Sequence, residues 1–162
     1  MIRPMTTKDI AHVQKIAHET WKKTYDPIIP LELQTRFLES AYSDMMLMKR
    51  IEKSHMLILE DEGQPFGFAN FTWIDEDGDS ELTAMCILST YQRIGYGKKL
   101  FESILSELTH AKELSIYVDS KNIIGQQFFE KEGCQLKEVI DEVFEDFPVT
   151  TLHYVYTLPK IL

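Results

Sequence analysis

Apolar positions recur with two different periods along this chain, and the change near His55 separates a helical first third from a strand-rich remainder. In the first third, Ile10, Val13, Ile16, Ala17 and Trp21 fall on one face of a helix. Thr6 and Asp9 stand ahead of it at the spacing of a capping box, and the helix is expected to stop between Lys23 and Asp26, before Pro27. Helical spacing resumes from Leu31 to Glu39 through Leu33, Phe37 and Leu38. Ser43 and Asp44 can cap a third short helix, Met45 to Lys53, whose methionines are expected to face the core. Ahead of all three, Ile2 to Met5 has the length of a short edge strand.

From His55 the period shortens. Met56 to Glu60 and Pro65 to Ile74 read as strands joined by a hairpin at Asp61-Glu62-Gly63-Gln64, where glycine supplies positive φ. A polar turn, Asp75 to Ser80, leads into a strand from Glu81 to Leu88 that completes an antiparallel meander. Leu100, Phe101, Ile104, Leu105 and Leu108 then mark a helix from about Tyr96 to His110, followed by a strand through Leu114, Ile116 and Val118. A strand reached through a helix is expected to lie parallel to the one before it. A last helix covers Asn122 to Glu132, with Gly133 at the C′ position. Strand patterns at Gln135 to Phe144 and Thr150 to Leu158, separated by Asp146-Phe147-Pro148, close the chain. The pattern predicts a single α/β domain over residues 1–162, a mixed and mostly antiparallel sheet with helices on both faces.

Composition changes this picture little. With 162 residues, 44% hydrophobic and 27% charged, the chain suits one globular domain that needs neither disulfides nor a structural metal. Nothing in it resembles a membrane span or a signal peptide, so the cytoplasm is the expected location and Cys86 and Cys134 are expected to be reduced thiols. No histidine pair completes a metal site, and the acidic turn Asp75 to Ser80 lacks the glycine and the distal glutamate of a calcium loop. A net charge of −9 disfavours nucleic acid and allows a cationic partner.

The chemistry concentrates after the strand ending at Leu88, where Gln92-Arg93-Ile94-Gly95-Tyr96-Gly97-Lys98 opens the following helix. Unpaired N–H groups and the helix dipole make such a loop an anion cradle, and glycines at 95 and 97 are expected to let a phosphate approach the backbone. The dinucleotide-binding glycine pattern and the Walker loop are both absent, since Lys99 follows Lys98. Taken with Asn122 and the run Phe128-Phe129-Glu130-Lys131-Glu132-Gly133, these residues resemble the two signature motifs of the GNAT superfamily of N-acetyltransferases, in the family's order. The predicted element order fits that fold over nearly the whole chain.

The resemblance implies a fold, an acetyl-CoA cosubstrate and a set of roles. Backbone N–H groups of Gln92, Arg93, Ile94, Gly95, Tyr96, Gly97 and Lys98 would hold the CoA pyrophosphate; Cys86, Ile87 and Leu88 would pair with the pantetheine arm, and Asn122 would bond to it. Asn122 also suits a helix N-cap, and Arg93 and Lys98 also suit a solvated loop. Phe129 stands on the cofactor-binding helix where family members often carry a tyrosine that protonates the departing thiolate; Tyr91, Tyr96, Tyr117, Cys134 or water are the replacements in view. Trp21, Tyr25 and Ile28 match an acceptor-binding segment of some bacterial members, although core packing serves Trp21 equally. Glu81, eleven residues before Gln92, matches a strand glutamate used as base, or else it closes the acidic turn. The implied activity is acetyl transfer to the primary amine of a small, cationic acceptor by direct attack in a ternary complex, with a homodimer through the terminal strands as an extension. The competing expectation, raised by Phe129, is a weakly active or inactive acyl-CoA-binding module.

Overall fold

The computed structural model describes residues 1–92 and 94–160, and Arg93 lies outside the described residues. Strand β1 (Ile2–Pro4) precedes a 3-10 turn (Thr7–Asp9) and three helices, α1 (Ile10–Tyr25), α2 (Leu31–Ala41) and α3 (Asp44–Lys53). The meander β2 (His55–Asp61), β3 (Gln64–Phe71) and β4 (Asp79–Ile87) follows, then α4 (Tyr96–Glu107), β5 (Glu113–Asp119), α5 (Ile123–Lys131) and the hairpin of β6 (Gln135–Phe144) and β7 (Phe147–Thr157). All seven strands form one sheet in the order β1-β2-β3-β4-β5-β7-β6. Only β4 and β5 are parallel, as a connection through α4 requires.

The entry into α1 is fixed by charge as well as by capping. The Asp9 carboxylate accepts the Thr6 N–H at 2.9 Å and both Nη atoms of Arg3 at 2.8 and 2.9 Å, while Arg3 Nε donates to Glu60 at 2.9 Å. One guanidinium thus ties β1, β2 and the head of α1 together. Its hydrogen bond holds the Asp9 carboxyl below the ordinary carboxylate range, against the opposing effect of burial. A folded value below the unfolded one stabilises the fold above the unfolded value, and that contribution is lost as pH falls through the folded one. Asp9→Asn is therefore expected to lower the thermal midpoint at pH 7 by a few degrees and to flatten the acid limb of the stability profile below about pH 4. A calorimetric series from pH 2 to 8 checks this, and an unaltered acid limb counts against it.

Two cores sandwich the sheet. On one face Phe101 and Ile104 of α4, Leu108 at its C-cap and Phe129 of α5 pack against Leu114, Ile116 and Tyr154. On the other, Val13, Ile16, Leu38 and Leu47 of α1–α3 pack against Ile58, Phe68 and Cys86. This second core draws on β2, β3 and β4 but on no residue of β5, β6 or β7. The corresponding face of those strands carries polar groups such as Ser115, Glu138 and His153.

The methionines depart from expectation. Met45, Met46 and Met48 are 69%, 37% and 48% exposed, because α3 meets the sheet along a single stripe through Leu47 and Ile51 and the methionines lie off it. The last turn also moves. Glu145 and Asp146, both at positive φ, form a two-residue hairpin loop, so Phe147 and Pro148 belong to β7. Pairing of β7 with β5 begins only at Thr151↔Asp119, and at Pro148 the strand has β6 alone as a neighbour, where a missing N–H is tolerated. Among the described residues, no helix is long and apolar enough to cross a membrane.

Candidate active site

The site begins where the parallel pair comes apart. Pairing of β4 with β5 runs from Asp79↔Glu113 to Leu82↔Ile116 and stops, although β4 continues to Ile87 and β5 to Asp119. A bulge sits at that point: Phe71 pairs with Leu82 and Asn70 with Ala84, leaving Thr83 as an extra residue that bends β4, its hydroxyl donating to the Asn70 carbonyl at 2.9 Å. Backbone groups on the two facing edges are left without a strand partner, ready for an extended chain that carries its own amides. A cavity of about 350 Å³ fills the gap.

The bulge also changes which side chains share a face. Leu82 and Phe71 join the α4–α5 core, whereas Ala84 and Cys86 join the α1–α3 core. Glu81, one residue before Leu82, therefore lies on the same side of the sheet as Ala84 and Cys86. An unbroken strand would have put it on the opposite side. Glu81 is half-buried and sits just outside the cavity wall, which starts at Leu82. Its charge reaches the Tyr117 phenol, which is raised first by burial and then by the carboxylates of Glu81, Glu138 and Glu142. The Tyr117 ring stacks on His153 at 4.4 Å, and His153 Nε2 lies 2.9 Å from Ser115 Oγ.

On the α4–α5 side, Gly95 is the N-cap of α4 at φ +87°, the one described residue of the loop whose conformation calls for glycine. Gly97 has a packing task that the sequence pattern does not show. A Cβ there would meet Phe128 Cε1 at 2.9 Å, so the missing side chain sets how closely α4 approaches α5. Gln92 is exposed and reaches back, Nε2 donating to the Ile87 carbonyl at 2.7 Å, which pins the loop to the end of β4. Ile94 is exposed, Tyr96 packs edge-on against Phe66, and exposed Lys98 makes loose ion pairs to the exposed Glu102 at 3.6 Å and the largely buried Glu132 at 3.9 Å. Leu88 packs at the junction of both cores. Asn122 caps α5, accepting the Gly125 N–H at 3.0 Å, and also lines the cavity. Gly125 makes room for it, since a Cβ there would lie 2.6 Å from Asn122 Nδ2.

On the other side Trp21 and Tyr25 line the cavity, with ring centroids 4.7 Å apart. Phe37 stacks on Trp21 at 4.8 Å, and Phe144 arrives from the tip of the β6–β7 hairpin to touch both. Ile28 is half-buried but stands outside the cavity wall, and the buried residue of that loop is Ile29. Burial raises the phenols of Tyr25 and Tyr42, so both remain hydrogen-bond donors. Burial likewise pushes the Cys86 thiol up to about 11, which leaves it protonated and no nucleophile at neutral pH. Cys134 is pushed to about 12 by burial and lies off the cavity. Of the replacements considered for a tyrosine at 129, only Tyr117 lines the cavity; Phe129 itself forms part of the wall. Tyr42, Arg50 and Asn70 also line it, and no sequence motif marks them.

The model of the acetyltransferase (GNAT) family matches residues 14–134, three quarters of the chain. The chain belongs to this family. It is accordingly an N-acetyltransferase that draws on acetyl-CoA. Among family relatives, it is 26% identical to the uncharacterized N-acetyltransferase YuaI of Bacillus subtilis (strain 168), over 85% of this chain and 89% of that one. Its fold is similar to that of the PaiA N-acetyltransferase of Thermoplasma acidophilum, solved in complex with coenzyme A: TM-score 0.85 and 20% identity over 97% and 98% of the two chains. It is similar also to the ribosomal-protein-S18-alanine N-acetyltransferase of Escherichia coli, with TM-score 0.76 and 17% identity over 100% and 96%. Both likenesses establish the fold. The second is named for a protein acceptor and the first for none, so the acceptor must be argued from this chain's own cavity.

Proposed function

We propose that the protein transfers acetyl from acetyl-CoA to the primary amine of a small acceptor that arrives as an ammonium cation, by direct attack with both substrates bound in the gap between β4 and β5. The observation that carries this reading is the cavity itself, which is lined from both faces of the sheet and bounded by unpaired strand edges. The donor's pantetheine arm would pair with the backbone of Cys86, Ile87 and Leu88 and reach Asn122, and Phe129 would wall the acyl end. The N–H groups of Gln92, Ile94, Gly95, Tyr96, Gly97 and Lys98 would take the pyrophosphate. The acceptor would enter past Trp21 and Tyr25, with Ile28 acting only through the loop it belongs to.

A free alkyl ammonium has a pKa near ~10.4 and must lose a proton before it attacks. Glu81, set on the acceptor side by the Thr83 bulge, is the proposed base, and the ammonium meets Glu81, Glu138 and Glu142 around Tyr117. A protonated Cys86 speaks against an acetyl-cysteine route and for direct attack. The thiolate of CoA, with a thiol pKa near ~8.5, leaves with little help. Tyr117→Phe is accordingly expected to lower kcat by no more than about tenfold, with the acetyl-CoA Kd unchanged; the general-acid range of about 10²–10⁴ would instead make Tyr117 the acid.

Free, buried cysteines fit a reducing cytoplasm, and pairing through β6 and β7 would give a homodimer. The second reading, a CoA-binding module without turnover, is favoured by Phe129 alone. Thiol release from acetyl-CoA over an amine panel, followed by product mass, separates the two: release with an acetylated product supports transfer, and tight CoA binding with no release supports the module.

A further inference from the structure

We propose that the acceptor also carries a carboxylate, and that Arg50 receives it, so that the substrate is an amino-acid-type zwitterion rather than a polyamine. This rests on the acetyl-transfer reading above. Among the described residues, Arg50 is the one charged side chain in the cavity wall. It comes from the last turn of α3, where Nη2 donates to the Ala41 carbonyl at 2.7 Å and the guanidinium lies 4.5 Å over the Tyr42 ring. These two contacts hold the plane of the group and engage only part of its five N–H donors.

The other described arginines have carboxylate partners. Arg3 takes Asp9 and Glu60, and Arg36 takes Glu32, whereas no carboxylate among the described residues lies within ion-pair distance of Arg50. A partly buried guanidinium facing a cavity without a counter-ion is costly, and a neutral donor would cap α2 equally well. A bound anion explains the choice. The CoA phosphates are a poor candidate, since Arg50 packs with the α1–α3 core and α4 lies across the sheet.

The surrounding groups suit a carboxylate. Buried Tyr42 and half-buried Tyr25, both protonated, supply further donors beside Arg50. Asn70 has its amide N–H pair engaged by Ser54 Oγ at 2.8 Å and the His55 carbonyl at 2.9 Å, so its oxygen is left as an acceptor for the substrate's ammonium and not for its carboxylate. The carboxylates near Tyr117 serve the other end of the molecule. The transfer is unchanged in balance: the amine nitrogen forms the amide bond, the carbon–sulfur bond breaks, CoA departs as its thiol and the amine proton passes by way of Glu81.

The test is thiol release from acetyl-CoA with three matched sets: the standard amino acids, their carboxamides, and the amines left on decarboxylation, with spermidine alongside. The best acceptor should carry a free carboxylate, with kcat/KM falling roughly 10- to 100-fold in its amide and amine, the worth of a charge-assisted hydrogen bond. Arg50→Gln should bring the acid-to-amide ratio near one, and Arg50→Lys should restore part of it. Equal or better turnover of the amides, the decarboxylated amines, spermidine or carboxy-blocked peptides overturns the proposal. Because Arg50 also caps α2, the thermal midpoint and acetyl-CoA Kd of each variant are measured beside the rates. Should no amine be acetylated, the transfer reading fails by itself. Arg50 is then judged on whether the amino acids, and not their amides, raise the midpoint of CoA-saturated protein; no difference overturns its role.

Discussion

Glu81→Gln is expected to lower kcat/KM for the acceptor by about 10²- to 10⁴-fold near neutral pH, the usual range for a general base, while acetyl-CoA affinity stays within about twofold. The size follows from the amine. At pH 7 only a few molecules in ten thousand of an alkyl amine with pKa ~10.4 are neutral, so a group that accepts the proton inside the site governs the rate. The proposal of Glu81 draws on the Thr83 bulge, which places this residue on the face where Ala84 and Cys86 meet α1–α3. Without the carboxylate, proton removal falls to solvent, and the rate of the variant should climb with pH toward the pKa of the free amine. Steady-state rates from pH 6 to 10 check this, and a variant with undiminished rate and an unaltered profile removes the assignment.

Gly67→Val is expected to have the largest effect on stability, about 1–3 kcal/mol or more, and to weaken acetyl-CoA binding as well. Gly67 lies on β3 opposite Ile87. A Cβ at this position meets Leu59 Cδ1 at 2.9 Å, the Cys86 carbonyl oxygen at 3.0 Å and Ile87 Cγ1 at 3.2 Å. A side-chain terminus can turn aside, but the Cys86 carbonyl is backbone of β4 on its β3 side, and the opposite edge of that strand flanks the cavity. Relief therefore moves β4 at Cys86–Ile87, where the donor is proposed to pair. Denaturant unfolding and calorimetry with acetyl-CoA measure the two effects. Gly95→Ala is a useful control: nothing lies near its Cβ, and only the cost of positive φ, about 1–2 kcal/mol, applies. Equal behaviour of the two variants would contradict the packing explanation.

The sequence patterns carried the architecture because each element announces itself locally. The capping box at Thr6–Asp9, the hairpin at Glu62-Gly63 and the stripe Leu100-Phe101-Ile104 all depend on neighbours a few residues away, and all appear in the structure. The Asn122 cap and the loop before α4 were legible for the same reason. What was hidden depends on contacts between distant segments. Period-two alternation cannot reveal the extra residue at Thr83, so the side of the sheet to which Glu81 belongs is not accessible from β4 alone. Gly97 suited a phosphate-binding motif, yet its packing role appears only when Phe128 is brought against it from α5. Tyr42, Arg50 and Asn70 come from three separate elements and each has an ordinary structural task, which gave no local sign of a shared cavity. Ile28 was drawn in by resemblance, although its side chain stands outside that wall. The methionines of α3 depart from the expected core position because Leu47 and Ile51 already supply the buried stripe.

The most direct measurement is of acetyl-CoA and acceptor together: thiol release followed in real time while product mass is read from the same sample, with both concentrations varied. Expected is one thiol released for each acceptor molecule gaining an acetyl group, with intersecting kinetics that require both substrates bound at once. CoA binding without thiol release across the full amine panel would contradict catalysis in the cavity between β4 and β5, and parallel-line kinetics with an acetylated enzyme would contradict direct attack.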